Sequence, residues 1–342
     1  PLVLVGALTF VAFFLRIYGV GTPPLLDGES IVGNAAAGFA ETGQNMLPAG
    51  HPYKRGELLT YISGISISIF GKSAFALRLP MVLIGTATVP AVYFLGRETF
   101  KTRVALFATT LQAFALVNIS WSRTARFYTL LQLFLLVGLL VYLRARDIVT
   151  VDYLEREVNV TNQTWAITTV GALLVLFVIG QQIHRGWILL PAIIALHIVI
   201  PNKTEPVVVM RVKTLISLAV IVNILYVVFA QGLLVPVELL QLTGFGSFTD
   251  ISIWQHPQTD DQPVYFFLTY FPLLSVFALV GSLAVLWRRG RAESLVFVGF
   301  YASLLFFTYF GGSFRFIWRP RYLLPIVPIF LLLSAAGVVV LF

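Results

Sequence analysis

The sequence predicts an all-α polytopic membrane protein with about ten transmembrane helices, and three observations support this fold class. Hydrophobic residues make up 58% of the 342 residues and charged residues only 11%, against roughly one half and about a quarter in soluble domains. The apolar residues form continuous segments that approach the roughly 20 residues with which a helix crosses a bilayer. These segments do not alternate polar and apolar residues as the strands of a barrel do. An ordinary soluble domain is therefore excluded.

The predicted spans are separated by short polar breaks. The first is short and begins without methionine, and the last reaches the end of the chain without a polar stop. We therefore expect one transmembrane module over residues 1–342, trimmed at both ends. The predicted spans cover residues 1–15, 74–95, a segment ending at 119, a segment ending at 143, and residues 165–179, 187–200, 215–230, 263–287, 294–310 and 322–342.

The longest polar interruption in the N-terminal half is the first loop, residues 16–73. Residues 30–40 predict a surface helix, because acidic residues precede it and Thr42-Gly43 supplies a C-cap. Residues 58–70 alternate Ile with Ser and are too short to span a bilayer. This second segment is also predicted to lie along the surface or to re-enter the membrane.

The acids of the first loop are the candidate catalytic residues. A carboxylate beside a bilayer costs free energy unless it is solvated, paired or used, and Asp27 and Glu29 stand close to the end of the first span. The plainer interpretation is a solvated loop turned by Gly28. The two acids could also give oxygen ligands to a divalent cation. Because no third acid lies nearby, we expect no metal and no other cofactor, with a divalent cation as the alternative.

The basic residues give a net charge of +8 without a long basic run. This pattern favours lipid headgroups or an anionic substrate and predicts no nucleic-acid partner. Positive charges divide almost equally between the two faces, so the positive-inside rule leaves the orientation open. On the face that carries the first loop, arginines stand in short turns, where their forks suit a lipid-linked phosphate, although each could instead snorkel to headgroups. These arginines are Arg123, Arg126, Arg185, Arg315, Arg319 and Arg321.

Several short stretches stand in a characteristic order and spacing. They are the acidic first loop with Glu29 and Thr42-Gly43, Phe70-Gly71, Ala76-Leu77-Arg78-Leu79-Pro80, Tyr93-Phe94-Leu95-Gly96-Arg97, Ser122-Arg123-Thr124-Ala125-Arg126, His184-Arg185-Gly186 and Pro320-Arg321-Tyr322-Leu323-Leu324-Pro325. In these stretches the chain resembles the membrane-integral GT-C glycosyltransferases, specifically the protein O-mannosyltransferase and aminoarabinose-transferase group (glycosyltransferase family 39-like). The resemblance extends through about residue 143, with a second anchor near Arg321.

The resemblance implies transfer of a sugar from a polyprenyl-phosphate donor to an acceptor protein, lipid or glycan. The active site would lie on the extracytoplasmic side of a plasma or inner membrane. An acid of the first loop would be the general base of an inverting reaction, and basic residues would hold the phosphate of the leaving group. The family usually shows adjacent Asp-Glu, whereas Gly28 stands at the Asp position here. Either Asp27 or Glu29 then takes the role, and we favour Asp27.

The resemblance adds candidates from the end of the first loop. A basic residue that the family places after the first surface helix corresponds to Arg55, with Lys54 beside it, and both are expected to bind the donor phosphate. Gly56-Glu57 replaces the prolines that usually follow. The residues expected to line the substrate are His51, Tyr53, His184 and Tyr322.

The rival function is that of a transporter or flippase for a lipid-linked or anionic solute. Transporters often show internal repeats, broken helices and charged residues inside the spans. Here the charges stand in loops and at helix ends, and no repeat is visible. The sequence therefore favours the transferase.

Overall fold

The computed structural model describes residues 1–54, 56–154, 160–199, 263–288, 291–313 and 320–342. Over these ranges the chain is helical, and its β geometry is an isolated bridge between Met46 and Pro52. The predicted all-α class is confirmed. The predicted span at 215–230 and the loop that follows it lie outside the described residues.

The helices are numbered in chain order. They are α1 (Leu2–Ile17), α2 (Asp27–Thr42), α3 (Glu57–Phe70), α4 (Ala74–Thr99), α5 (Thr102–Phe114), α6 (Leu116–Ser122), α7 (Tyr128–Leu154), α8 (Val160–Ile183), α9 (Leu189–Val199), α10 (Pro263–Tyr270), α11 (Pro272–Arg288), α12 (Arg291–Ser313) and α13 (Val327–Leu341), with 3-10 segments at Arg185–Ile188 and Pro320–Ile326.

The chain divides into two compact units. Unit 1 comprises Pro1–Leu140, Val178–Trp187 and Leu341–Phe342, and unit 2 comprises Val141–Phe177 and Ile188–Val340. Unit 1 contains the first loop with its candidate acids, and unit 2 contains most of the C-terminal helices.

Two helical segments of the described chain are long and apolar enough to cross a bilayer. They are α4 and the segment Arg321–Leu341, which joins a 3-10 turn to α13. Helices α5 and α6 pass the same test only as a pair, and they meet at 56°. The other apolar segments, such as Tyr128–Arg144 within α7 and Gly171–Ile183 within α8, have 10–17 residues, so the count of ten spans stays a prediction.

Some predicted boundaries differ from the structure. The predicted span at 263–287 is interrupted at Phe271, because Pro272 lacks an N–H and disfavours a helical residue before it. The predicted polar break at 144–164 is largely helical, since α7 continues to Leu154 and α8 begins at Val160. That stretch contains neither glycine nor proline. A helix can therefore leave the apolar layer there without ending.

Both helices predicted for the first loop are present. Helix α2 ends at Gly43, whose φ of 73° is the left-handed conformation of the predicted C-cap. Helix α3 packs directly on α2 where Gly64 meets Phe39 and the Ala36 carbonyl, and a Cβ at Gly64 would collide with both. The side chains of Phe39 and Tyr61 add an edge-to-face contact with centroids 5.0 Å apart. The first loop is therefore a packed helical hairpin.

In unit 2, α11 and α13 approach each other through glycines. A Cβ at Gly281 would overlap the Leu333 carbonyl, and one at Gly337 would overlap the Phe277 carbonyl. The Ser334 hydroxyl also donates to a carbonyl of α11. Small residues allow such close contact between membrane helices, where the hydrophobic effect cannot drive association.

We expect Gly337→Ala to destabilise the protein, because its methyl group must displace the α11 backbone. Overpacking of this kind costs about 1–3 kcal/mol, and the melting temperature of the detergent-solubilised protein should fall accordingly. Gly171→Ala in α8 is the matched control, since a Cβ there meets nothing within 4 Å. Equal melting temperatures for the two variants would contradict the backbone contact.

Candidate functional site

Glu29 lies at the start of α2 with its carboxylate directed into the protein, and the side chain is only 1% exposed. Its Oε2 accepts a hydrogen bond from the Leu26 N–H at 3.1 Å, which is half of a capping box. Its Oε1 accepts from the Ala125 N–H at 2.7 Å. The first turn of α2 is thereby bonded to the turn between α6 and α7.

Arg78, on the first half of α4, forms a two-pronged ion pair with Glu29. Its Nε donates to Oε1 and its Nη2 donates to Oε2, both at 2.8 Å. The remaining donors reach backbone carbonyls at 2.9 Å, with Nη1 bonded to Val20 and Pro23 and Nη2 bonded to Pro24. All five guanidinium N–H groups are therefore used.

The Glu29 carboxylate is equally saturated. Each oxygen accepts one bond from Arg78 and one from a backbone N–H, which fills about four acceptor positions. Burial raises the pKa of Glu29, but the hydrogen bonds from Arg78, Ala125 and Leu26 outweigh it, and the net pKa lies below the ordinary value of 4.5. Glu29 is thus an ionised carboxylate without a free lone pair.

The turn at residues 123–127 lies against the first turn of α2. Arg126 donates from Nη1 to the Gly28 carbonyl at 2.8 Å. A Cβ at residue 28 would overlap this guanidinium, so glycine is required for the approach. The Arg126 guanidinium carbon also lies 5.7 Å from the centre of the Phe127 ring. Among the described residues the other N–H groups of the Arg126 guanidinium have no hydrogen-bond partner.

Two arginines hold the neighbouring helix ends in the same unit. Arg123 donates to the Leu15 carbonyl near the end of α1 at 3.2 Å. Arg16, fully buried on α1, donates to the Gln112 and Ala113 carbonyls at the end of α5, both at 3.3 Å. Cations at helix C-termini offset the unpaired carbonyls and the helix dipole.

The end of the first loop and the end of α8 both contact the turn at residues 123–127. Gly56, with φ of 68°, lies where an added Cβ would be 3.2 Å from the Ile183 carbonyl and 3.5 Å from the Phe127 ring. The Phe127 ring stacks on the His184 imidazole with centroids 4.0 Å apart. His184 Nδ1 accepts from the Gly186 N–H at 3.1 Å, which assigns the proton of the neutral ring to Nε2.

Residues 45–54 form a compact turn before α3. The Tyr53 N–H donates to the Asn45 carbonyl at 3.1 Å, and the Asn45 amide donates back to the Tyr53 carbonyl at 2.6 Å. His51 accepts through its carbonyl from the Leu47 N–H at 2.9 Å. The side chains of His51 and Lys54 are exposed and that of Tyr53 is half-buried.

Unit 1 thus brings together the acidic start of α2, the arginine turn at 123–127 and His184. Arg321 and Tyr322 belong to unit 2, where the Arg321 guanidinium carbon lies 5.9 Å from the Tyr322 ring centre. The buried Nε of Arg321 has no hydrogen-bond partner among the described residues. The residues 55, 315 and 319 lie outside the described residues, as do the side chains of Asp27 and Arg185.

Sequence reasoning missed Arg78, although it quoted the stretch that contains it. The available signal was an arginine four residues inside a predicted span, since ionisable residues within membrane helices are paired or functional. Across the described chain there is no group of three or more His, Cys, Asp or Glu residues that could hold a metal ion.

Comparison with known proteins identifies the type of fold. The family model for dolichyl-phosphate-mannose-protein mannosyltransferases matches residues 54–204. The oligosaccharyltransferase AglB from Archaeoglobus fulgidus, solved with an inhibitory peptide and a dolichol-phosphate, superposes with a TM-score of 0.66 over 100% of this chain at 16% identity. The predicted GT-C resemblance is confirmed. No curated protein sequence matches the chain significantly.

A second GT-C structure agrees. ArnT from Cupriavidus metallidurans superposes over 98% of the chain at 16% identity, with TM-scores of 0.64 in the apo state and 0.62 when bound to undecaprenyl phosphate. The chain covers 50% of the AglB chain and 59% of the ArnT chain. At this identity the likeness establishes the GT-C fold, and the polar contacts described above belong to this sequence.

Arg78→Ala is expected to destabilise unit 1 strongly, because it leaves the Glu29 carboxylate buried without its cation. Breaking a buried ion pair on one side costs about 3–5 kcal/mol, measurable as a lower melting temperature in detergent. Arg97→Ala on the same helix is the control, since its side chain is 45% exposed and its contact with Glu98 is 3.9 Å long. Similar decreases in melting temperature for both variants would mean that the buried ion pair contributes no more to stability than an exposed arginine does.

The depressed pKa of Glu29 gives a pH dependence of stability with a defined sign. The ionised carboxylate contributes its full stabilisation above the ordinary pKa of 4.5 and loses it as the pH falls through the lower pKa of the folded state. Melting temperatures of the parent should therefore decline below about pH 4.5 more steeply than those of Glu29→Gln, which has no such proton to bind. Parallel slopes in acid would contradict the low pKa.

Proposed function

We propose that the chain is a glycosyltransferase that moves a hexose or pentose from a polyprenyl-phosphate-linked donor to an acceptor, on the extracytoplasmic face of a membrane. The family model and the GT-C fold support a transferase. Structures with this fold were solved with dolichol-phosphate and with undecaprenyl phosphate, which supports a lipid-phosphate donor. The acceptor is a protein, a lipid or a glycan, and AglB was solved with an acceptor peptide.

The hydrogen bonds of the Glu29 carboxylate decide which of the two acids we propose as the general base. A general base needs a lone pair within reach of the proton that it accepts. Both oxygens of Glu29 are fully occupied, and freeing one would break contacts with Arg78 or with the backbone. Asp27, the first residue of α2, is then the acid of the pair that performs the chemistry. Glu29 is a positioning residue, and its occupied oxygens also argue against a cation at this acid.

Arg126 is the phosphate ligand that the contacts favour. One hydrogen bond to the Gly28 carbonyl orients its guanidinium, while its other donors have no partner in the described part of the chain. Such an arginine can present a two-pronged contact to a phosphate. Lys54, Arg55, Arg185, Arg319 and Arg321 stay phosphate-binding candidates on the sequence evidence, and Arg321 in unit 2 has a buried Nε without a hydrogen-bond partner among the described residues.

The proposed reaction is a displacement at the anomeric carbon. Asp27 takes the proton of the acceptor hydroxyl as its oxygen forms the new bond to carbon. The bond between that carbon and the phosphate oxygen breaks, and the electron pair leaves with the polyprenyl phosphate. Attack opposite to the leaving group inverts the configuration. Arg126 stabilises the negative charge that develops on the phosphate, which is the main task of such a site.

The remaining residues of the cluster are assigned by their contacts. Arg123 caps α1 and therefore holds the turn beside Arg126. His184 is stacked on Phe127, the last residue of the arginine turn, and is a candidate to line the substrate. His51, Tyr53 and Tyr322 keep the substrate-lining role predicted from the sequence.

Asp27→Asn is expected to fold normally and to abolish sugar transfer, because the amide keeps the shape of the side chain and cannot accept the proton. Loss of general-base catalysis typically reduces the rate by about 10²–10⁴-fold. The measurement is transfer from labelled polyprenyl-phosphate sugars in proteoliposomes. Glu57→Gln, at an acid in the first turn of α3, is the matched control and should stay active.

The companion variant Glu29→Gln should lose stability together with activity. Full transfer by Asp27→Asn combined with loss in a stable Glu29→Gln variant would assign the base to Glu29. Movement of the labelled lipid across the bilayer without any transfer product would instead favour the flippase.

Arg126→Ala is expected to weaken binding of undecaprenyl phosphate by about 1.5–3 kcal/mol, the size of a hydrogen bond to a charged group. Arg126→Lys should recover only part of this, because an ammonium cannot reproduce the fork. Titration of the purified protein measures the affinity, with melting temperature followed in parallel. Lys101→Ala, an exposed cation before α5, is the control. Unchanged affinity in a stable Arg126→Ala variant would leave Arg126 as a helix contact only.

A further inference from the structure

The broken span formed by α5 and α6 contains buried amide side chains at its bend. The helices meet at Ala115 with an angle of 56°. Gln112 lies three residues before Ala115 and Asn118 three residues after it, and both are buried. Side-chain amides are costly within apolar surroundings unless they are hydrogen-bonded, so their presence on both sides of one bend calls for an explanation.

These amides form a closed ring with Gln132 of α7, and Thr88 of α4 joins it. The Asn118 amide donates to the Gln112 oxygen at 2.7 Å, and the Gln132 amide donates to the Asn118 oxygen at 3.2 Å. The Gln112 amide closes the ring to the Gln132 oxygen at 3.4 Å and also donates to the Thr88 hydroxyl at 2.8 Å. The Thr88 hydroxyl in turn donates to the Gly85 carbonyl at 2.7 Å. We call these four side chains the amide ring.

The ring determines the orientation of each member. Gln112, Asn118 and Gln132 each donate one bond and accept one within the ring, so turning any amide over would oppose donor to donor. Removing one member leaves buried polar atoms without partners, which costs more than a single bond contributes. The ring therefore holds α6 in one position relative to α4, α5 and α7.

Helix α6 connects the ring to the candidate active site. It ends at Ser122, which is packed so closely on Gly85 that a Cβ there would overlap it. The arginine turn follows at once, and the Ala125 N–H and the Arg126 guanidinium bond to residues 29 and 28. A shift of α6 would move both of these contacts, because only two residues separate Ser122 from Ala125.

We propose that the amide ring is a positioning device for the phosphate site, with Gln112 and Asn118 as positioning residues that act through Arg126. This inference rests on the proposed function only for the phosphate-binding role of Arg126. The placement of the turn by the ring stands on the hydrogen bonds alone. The placement of the turn and the phosphate-binding role of Arg126 are therefore measured separately.

The experiment compares Asn118→Leu, which removes both ring contacts at similar volume, with Thr109→Val. Thr109 is buried on α5, and in the described part of the chain its hydroxyl bonds only to the Ala105 carbonyl of its own helix, so its variant should behave like the parent. Hydrogen exchange of peptides covering residues 123–127 reports on the docking of the turn. Titration with undecaprenyl phosphate reports on the phosphate site. Gly337→Ala serves as a variant destabilised elsewhere and should leave exchange at 123–127 unchanged.

For Asn118→Leu we expect faster exchange at residues 123–127 and a loss of affinity for undecaprenyl phosphate on the order of five- to tenfold. Thr88→Val removes the bond from Gln112 and the bond to the Gly85 carbonyl but leaves the three amides bonded to one another. It should therefore shift both readouts in the same direction by less, and it serves as the test variant if Asn118→Leu does not fold. Parental exchange and parental affinity in a folded ring variant would overturn the proposal. Faster exchange with parental affinity would support the positioning of the turn and refute the phosphate-binding role of Arg126.

Discussion

The ion pair between Arg78 and Glu29 is the contact on which the N-terminal unit depends. Five donors on one side chain and about four acceptor positions on the other are all occupied. Through them α4 holds the loop at residues 20–24, the start of α2 and the turn after α6. A buried pair of this kind contributes specificity more than stability, because desolvation offsets most of the attraction, yet losing one partner is severe.

The ion pair also distinguishes the roles that we assign to Asp27 and Glu29. A carboxylate that is ionised, buried and fully hydrogen-bonded can hold a helix end in place, but it has no lone pair with which to accept a substrate proton. We infer that the neighbouring Asp27 performs the chemistry for this reason. Gly28 between them admits the Arg126 guanidinium to the helix backbone, which a side chain at that position would prevent. The departure from the adjacent Asp-Glu pattern thus has a structural counterpart in this chain.

Polar groups in the apolar parts of unit 1 follow one rule, which is that most of their hydrogen-bonding capacity is used. Arg16 and Arg123 cap helix ends, and the amide ring surrounds the bend between α5 and α6. Unpaired polar atoms would be costly there, so each contact has few alternative geometries. The consequence is that the turn at 123–127 is bonded to the start of α2 and linked through α6 to the amide ring.

The sequence by itself determined the all-α class, the two helices of the first loop and the C-cap at Gly43, because these depend on local hydrophobicity and backbone preference. The sequence also singled out the first-loop acids and the arginine turn, since charges beside apolar segments are conspicuous. It could not separate Glu29 from Asp27, nor assign Arg78, because a role in a buried pair depends on residues 49 positions apart in the chain. Helix ends at 144–164 and the break before Pro272 were missed or misplaced, since hydrophobic length marks the apolar layer and not the end of a helix. Tertiary structure alone decided that the Glu29 carboxylate and the Arg78 guanidinium are saturated, because their hydrogen bonds join parts of the chain that are distant in sequence.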